Sequence, residues 1–179
     1  SCRWHDGMLI TPTGMAYEAI RPRDIVFVNA KGAVPGKGSR EPSSEWRFHL
    51  AAYRARPDIK AVVHTHSLHA TVLACAHKPI PAFHYMVAVA GGDSVPCTPY
   101  HTFGSEALSQ AVAQAIGERN ACLMAHHGLV AAGATLAQAM KVAIEIEALC
   151  EIYLKLLAVA EPALLSPEQM AEVLDKFKS

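Results

Sequence analysis

The chain has 179 residues, 51% of them hydrophobic and 18% charged, and its 16 basic and 16 acidic side chains leave no formal net charge. That apolar content over that length can bury a substantial core, which excludes a disordered chain and predicts one domain spanning 1–179. The charge balance and the lack of a basic run exclude nucleic acid and an anionic membrane surface as partners, and no apolar stretch is long enough to span a bilayer.

Cys2, Cys75, Cys97, Cys122 and Cys150 form no CxxC pair. They predict reduced thiols in a cytoplasmic protein, mostly buried as small hydrophobes. The opening Ser1-Cys2-Arg3-Trp4 reads as the middle of an element, so the chain is expected to lack its natural start.

In chain order, Met8 to Thr11 predicts a strand, followed by the turn Pro12-Thr13-Gly14. Ile25 to Val28 predicts a second strand, and the glycine-rich stretch from Ala30 to Arg40 a hairpin loop. Gly36-Lys37-Gly38-Ser39 lacks the spacing of a phosphate-binding loop and reads as a plain turn. A helix is predicted from Pro42-Ser43 to about Arg56, with Ser43 as N-cap and Glu45 in its first turn. Ala61-Val62-Val63 predicts a buried strand that ends in His64-Thr65-His66, and a helix follows from Leu68 to Ala76. Ile80 to Ala90 reads as extended, and a helix runs from Gly104-Ser105 to Ile116. Ala121–Met124 and Leu129–Ala132 predict strands flanking His126-His127-Gly128. Helices from Leu136 to Val159 and from Pro167 to Phe177 complete the chain. Interleaved strands and helices predict an α/β or α+β sandwich with helices on both faces of one mixed sheet.

His64 and His66 carry the chemical signal. Alternate side chains of a strand share a face, so these two imidazoles form half of a metal site. A catalytic zinc site wants a third protein ligand, and His127, where another apolar run meets a glycine, is the candidate. The long spacing excludes a zinc finger and fits a site assembled by a sheet. Glu45 reads as a helix N-terminal carboxylate, or, beside a metal, as a fourth ligand or general base. Ser43 and Ser44 sit at the same helix start, where hydroxyls and free N–H groups collect an anion well. Thr13-Gly14 adds a hydroxyl and a close backbone approach. Tyr85 is a candidate acid for an alkoxide leaving group. His126 is a candidate to support the ligand beside it.

Three segments, Pro42-Ser43-Ser44-Glu45-Trp46-Arg47, His64-Thr65-His66-Ser67 and Ala125-His126-His127-Gly128-Leu129, resemble signature segments of the class II aldolase/adducin family. Ile80-Pro81-Ala82-Phe83-His84-Tyr85-Met86, Ala90-Gly91-Gly92-Asp93-Ser94-Val95-Pro96, Pro99-Tyr100-His101-Thr102-Phe103-Gly104 and the ending Val173 to Lys178 resemble its branch that cleaves L-fuculose 1-phosphate. The resemblance implies an α/β fold, a three-layer α/β/α sandwich around a central mixed, mainly antiparallel sheet, and a homotetramer with active sites at subunit interfaces. It implies one Zn2+ per subunit held by His64, His66, His127 and Glu45, with Glu45 also the acid/base. It implies that Tyr85 exchanges a proton with the aldehyde oxygen and that Thr13, Gly14, Ser43 and Ser44 bind phosphate. The implied reaction is reversible cleavage of a ketose 1-phosphate to dihydroxyacetone phosphate and an aldehyde such as L-lactaldehyde. It also implies a glycine-asparagine loop before Ser1 and a tail after Ser179, so the chain is expected to lack its native N-terminal segment and C-terminal tail. Alternatives within the fold are a 5-deoxy- or methylthio-pentulose-phosphate aldolase, a 4-epimerase, a dehydratase or a sugar-acid phosphate decarboxylase. A non-enzymatic adducin-like module is the alternative of a different class.

Overall fold

The apolar run that ends at His64 forms β4 (Ala61–Thr65), the middle strand of seven, in a computed structural model that describes residues 1–36 and 38–178. The other strands are β1 (Cys2–Trp4), β2 (Gly7–Ile10), β3 (Val26–Asn29), β5 (Cys97–Thr98), β6 (Ala121–Met124) and β7 (Gly128–Gly133). Their order across the sheet is β3-β2-β1-β4-β7-β6-β5, and every neighbouring pair is antiparallel except β5 and β6. The helices are α1 (Trp46–Ala55), α2 (Leu68–Cys75), α3 (Glu106–Ile116), α4 (Leu136–Leu157) and α5 (Pro167–Lys178).

Strand alternation sorts the side chains into two cores. Ala61, Val63, Leu123 and Leu129 pack with Leu73, Ile146, Leu149 and Met170, so α2, α4 and α5 cover one face. Val62, Cys122, Met124 and Val130 pack with Phe48, Leu108, Val112 and Ile116, so α1 and α3 cover the other. Coverage on both faces is why the central strands read as unbroken apolar runs. The architecture is the expected three-layer sandwich around a mixed, mainly antiparallel sheet. No helix among the described residues is long and apolar enough to cross a membrane.

Four local expectations are corrected. The stretch Ile80–Ala90 is not extended throughout. Ile80 makes an isolated bridge with Val95, and Tyr85–Ala90 then winds into a 3-10 helix. The His84 ring accepts the Met86 N–H at 3.2 Å to start that turn, and Gly91, at φ 79°, ends it. Val87, Ala88 and Ala90 bury themselves from it, so tertiary packing overrides the strand preference of valine. Second, α1 begins at Trp46, with Glu45 in the N-cap position and no side-chain cap. Ser43 instead accepts the Glu45 N–H at 3.3 Å, a local turn that competes with helix. Third, the stretch after β3 leads to α1 rather than to a paired strand, so it is not a hairpin; Lys37 within it lies outside the described residues. Fourth, the thiols, all free, are less buried than expected: Cys122 and Cys150 are buried and Cys75 is exposed.

Candidate active site

His64 is the fourth residue of β4 and stands opposite Val130 of β7. Its Nδ1–H donates to the Leu129 carbonyl at 2.9 Å, which leaves the Nε2 lone pair free. Phe48 of α1 meets the ring edge-on at 5.3 Å between centroids and fixes its plane. His66 lies just past the strand, and its Nε2 is 3.1 Å from that of His64. The expected shared face is therefore present. His127 comes from the tight connection between β6 and β7, where its N–H donates to the Met124 carbonyl at 3.0 Å. His126, before it, is left-handed at φ 55° and donates its N–H to the Ala74 carbonyl at 3.2 Å, tying the connection to the end of α2.

The rings of His64, His66 and His127 stand 4.8–5.0 Å apart, and their nearest ligand atoms lie within 4.8 Å of one another. A tetrahedral centre with metal–nitrogen bonds of about 2.0–2.1 Å holds its nitrogens about 3.3–3.4 Å apart. The His64–His66 separation is close to that edge. Burial pushes the His64 imidazole down to about 3, against the support of the Leu129 bond, and its histidine neighbours push the same way. Burial, then His66, also lowers His127. Neutral, converging imidazoles are the form that binds a metal.

Glu45 lines the same cavity at 7% exposure. Its Oε2 is one of three buried side-chain polar atoms among the described residues without a hydrogen-bond partner. Burial raises its carboxyl above the ordinary glutamate range, against a backbone hydrogen bond from Gly104. Three lone-pair-bearing imidazoles are a donor set for a divalent metal, and a buried carboxylate oxygen without a partner lines the same cavity. The residues therefore fit the group that the sequence implied.

The cavity measures about 500 Å³, within the range of small-molecule sites. Thr13, Gly14, Ser43 and Ser44 form one wall. An antiparallel bridge between Pro12 and Pro42, with Thr13 N–H donating to Glu41 and Ser43 N–H to Thr11, brings the two loops side by side. Gly14 holds φ 70°, the left-handed region that glycine enters without strain. No lysine or arginine lines the cavity among the described residues, so an anion there depends on hydroxyls, backbone N–H groups and a bound cation. Tyr85 is not brought to this cavity; it is 51% exposed, on the 3-10 helix. Sequence reasoning gave no role to Tyr17, Tyr100 and Phe103, which line the cavity; for the last two the signal was their place in the resembling segment Pro99-Tyr100-His101-Thr102-Phe103-Gly104. His101 and His126 line it too, while His5 and His84 do not.

Three converging imidazoles and a buried carboxylate at the end of a mixed sheet, in a cavity walled on one side by hydroxyls, are the make-up of a metal-dependent α/β enzyme. The model of the class II aldolase and adducin N-terminal domain matches residues 1–154. The chain is 51% identical over 180 residues to the L-fuculose phosphate aldolase of Escherichia coli O6:H1, covering 100% of this chain and 83% of that one. It is equally 51% identical, over 179 residues, to the 5-methylthioribulose-1-phosphate/5-deoxyribulose-1-phosphate aldolase of Rhodospirillum rubrum, covering 100% of this chain and 80% of that one. A solved L-fuculose 1-phosphate aldolase superposes with a TM-score of 0.93 at 41% identity, covering 97% of this chain and 81% of that one. The chain belongs to the class II aldolase and adducin family, and it is a metal-dependent aldehyde-lyase of that family.

Proposed function

We propose that this chain is a zinc-dependent aldolase that reversibly cleaves a ketose 1-phosphate, L-fuculose 1-phosphate or a close analogue, to dihydroxyacetone phosphate and an aldehyde. The observation that carries the reading is the convergence of His64, His66 and His127 on one point of a cavity that also holds buried Glu45. Bound by these residues, Zn2+ supplies Lewis acidity to the substrate oxygens, stabilising the negative charge left when the carbon–carbon bond breaks.

The chain's own residues do the rest. Thr13, Gly14, Ser43 and Ser44 hold the phosphate and orient the reacting carbons from a part of the substrate that does not change. In the cleavage direction the C4 hydroxyl loses its proton and the C3–C4 bond breaks. C4 becomes the aldehyde carbon, and C3 keeps the electron pair and takes up a proton. Glu45 delivers that proton and removes it in synthesis. Burial raises its proton affinity, the direction that suits a group that must hold and release a proton. Tyr85 exchanges the C4 hydroxyl proton. Because it is exposed and outside the cavity of its own chain, it reaches a site only across a subunit interface. Leu68 and Val72 of α2 and Met140 and Ile144 of α4 leave an apolar face exposed, which supports the homotetramer.

The two aldolase classes among the relatives differ at the aldehyde end, where the fuculose substrate carries an extra hydroxyl-bearing carbon and the methylthio substrate a thioether, so a pocket that hydrogen-bonds that hydroxyl separates them strongly. The test is release of dihydroxyacetone phosphate from L-fuculose 1-phosphate, 5-deoxyribulose 1-phosphate and 5-methylthioribulose 1-phosphate, with and without chelator. Chelator-sensitive release is expected, and the ratio of kcat/KM values names the sugar. Zinc-loaded protein that releases nothing from any of the three overturns the reading.

A further inference from the structure

His66 is the least supported of the three histidines. The ladder between β4 and β7 ends at the pair Thr65–Leu129, so no strand pairing reaches His66. Its ring rests on Gly128, where an added Cβ would come within 3.0 Å of its Cδ2. What fixes it from the chain side is the turn into α2, and that turn is held by a residue far away in sequence.

Glu147 of α4 accepts the N–H of His69 at 2.8 Å and the Nδ1–H of His69 at 2.9 Å through Oε1, and the N–H of Ala70 at 2.9 Å through Oε2. Ser67 occupies the N-cap position of α2 but makes no capping bond of its own. Glu147 therefore caps α2 from another helix, satisfying donors that the local residue leaves open. Ser67 is instead the acceptor of the Thr65 hydroxyl at 3.2 Å. The turn after His66 is thus held on one side by the Thr65–Ser67 bond and on the other by the Glu147 carboxylate on the N–H groups of His69 and Ala70.

We infer that Glu147 is a positioning residue for the metal site: its carboxylate clamps the strand-to-helix turn and so sets where His66 presents its nitrogen. The inference rests on the metal-site reading above. Outer partners of this kind typically alter metal affinity by about 10–100-fold when removed. Glu147 lies one element further out, so the lower end is expected.

The experiment is a titration of metal-stripped protein with Zn2+ against a chromophoric chelator, paired with thermal unfolding of the metal-free protein. Thr135, whose hydroxyl caps α4 by accepting the Gln138 N–H at 3.1 Å, supplies a control for cap loss alone. Glu147→Gln is expected to bind Zn2+ about tenfold more weakly. Thr135→Ala is expected to lower the thermal midpoint as much or more while keeping wild-type zinc affinity. Glu147→Asp keeps the charge but draws the carboxylate back by one methylene from the His69 and Ala70 N–H groups, and it is expected to weaken zinc binding severalfold; it decides the matter if Glu147→Gln fails to fold. Wild-type zinc affinity in Glu147→Gln, or in Glu147→Asp where that variant must decide, overturns the inference and leaves the metal site standing. If instead wild-type protein takes up no zinc, or His66→Ala binds it as tightly as wild type, the metal-site reading falls and the role of Glu147 falls with it.

Discussion

Burial pushes His64 and Glu45 toward their neutral forms, with opposite consequences for pH dependence. In metal-free protein the unfolded chain protonates His64 near 6.5, whereas the folded chain resists until about 3. Between those values only the unfolded state binds the proton, so acidification favours unfolding. Stability should fall from just above pH 6.5 downward, by about 2 kcal/mol at pH 5 from His64 alone. Glu45 works the other way: the folded chain holds its proton more tightly, which favours folding as pH drops through the carboxylate range. Denaturant unfolding over a pH series checks this, and His64→Gln should flatten the upper part of the profile. At the same scale, Glu45→Gln keeps the shape of the side chain and removes the proton carrier. The fold should survive, and turnover should drop by about 10²–10⁴-fold, with near-normal turnover removing its acid/base role. His64 and His66 were legible in the sequence because a strand's two-residue period is enough to place them together. Ser43 was not: its spacing fits an N-cap, but its hydroxyl closes a turn one step earlier.

At the scale of elements, the site depends on how closely β7 approaches β4. A Cβ on Gly128 would sit 2.4 Å from the Thr65 carbonyl oxygen as well as against His66. The clash is with backbone and cannot be relieved by a side-chain rotation. Gly128→Ala should therefore destabilise the protein by about 1–3 kcal/mol and deplete bound metal, as measured by unfolding and by metal content. The helices and the long strands were readable from periodicity. The two-residue β5 and the three-residue β1 were not, because segments so short carry no period and exist only through their partners β6, β2 and β4. The 3-10 helix at Tyr85–Ala90 escaped notice for a related reason: its apolar residues fit a strand equally well until Gly91 and the His84 ring close the turn.

At the scale of the whole molecule, the cavity of one chain holds the histidines and Glu45 but not Tyr85. If Tyr85 serves a neighbour's site, Tyr85→Phe and Glu45→Gln are defects in different subunits. Each variant alone should be nearly inactive, and subunits mixed after dissociation should regain activity, since some sites then pair an intact Glu45 with an intact Tyr85. Activity that stays at the level of the separate variants would place both groups in one chain's site. Ile144, 64% exposed on α4, should be covered in that assembly, and Ile144→Glu should shift the protein to smaller species in sedimentation.

Local pattern alone determined the interleaving of strands and helices and the buried strand with two histidines on one face, and it offered His127, Glu45 and the hydroxyls around Ser43 as candidates. These are properties of periodicity and residue type, which a linear chain displays. Tertiary structure decided what depends on distances between remote segments. It brought His127 to His64 and His66 through the β6–β7 connection. It buried one oxygen of Glu45 without a partner, set Tyr85 apart from the cavity, and laid Glu147 across the N-terminus of α2. No spacing rule predicts such approaches, because the free energy that makes them comes from packing two cores on opposite faces of one sheet.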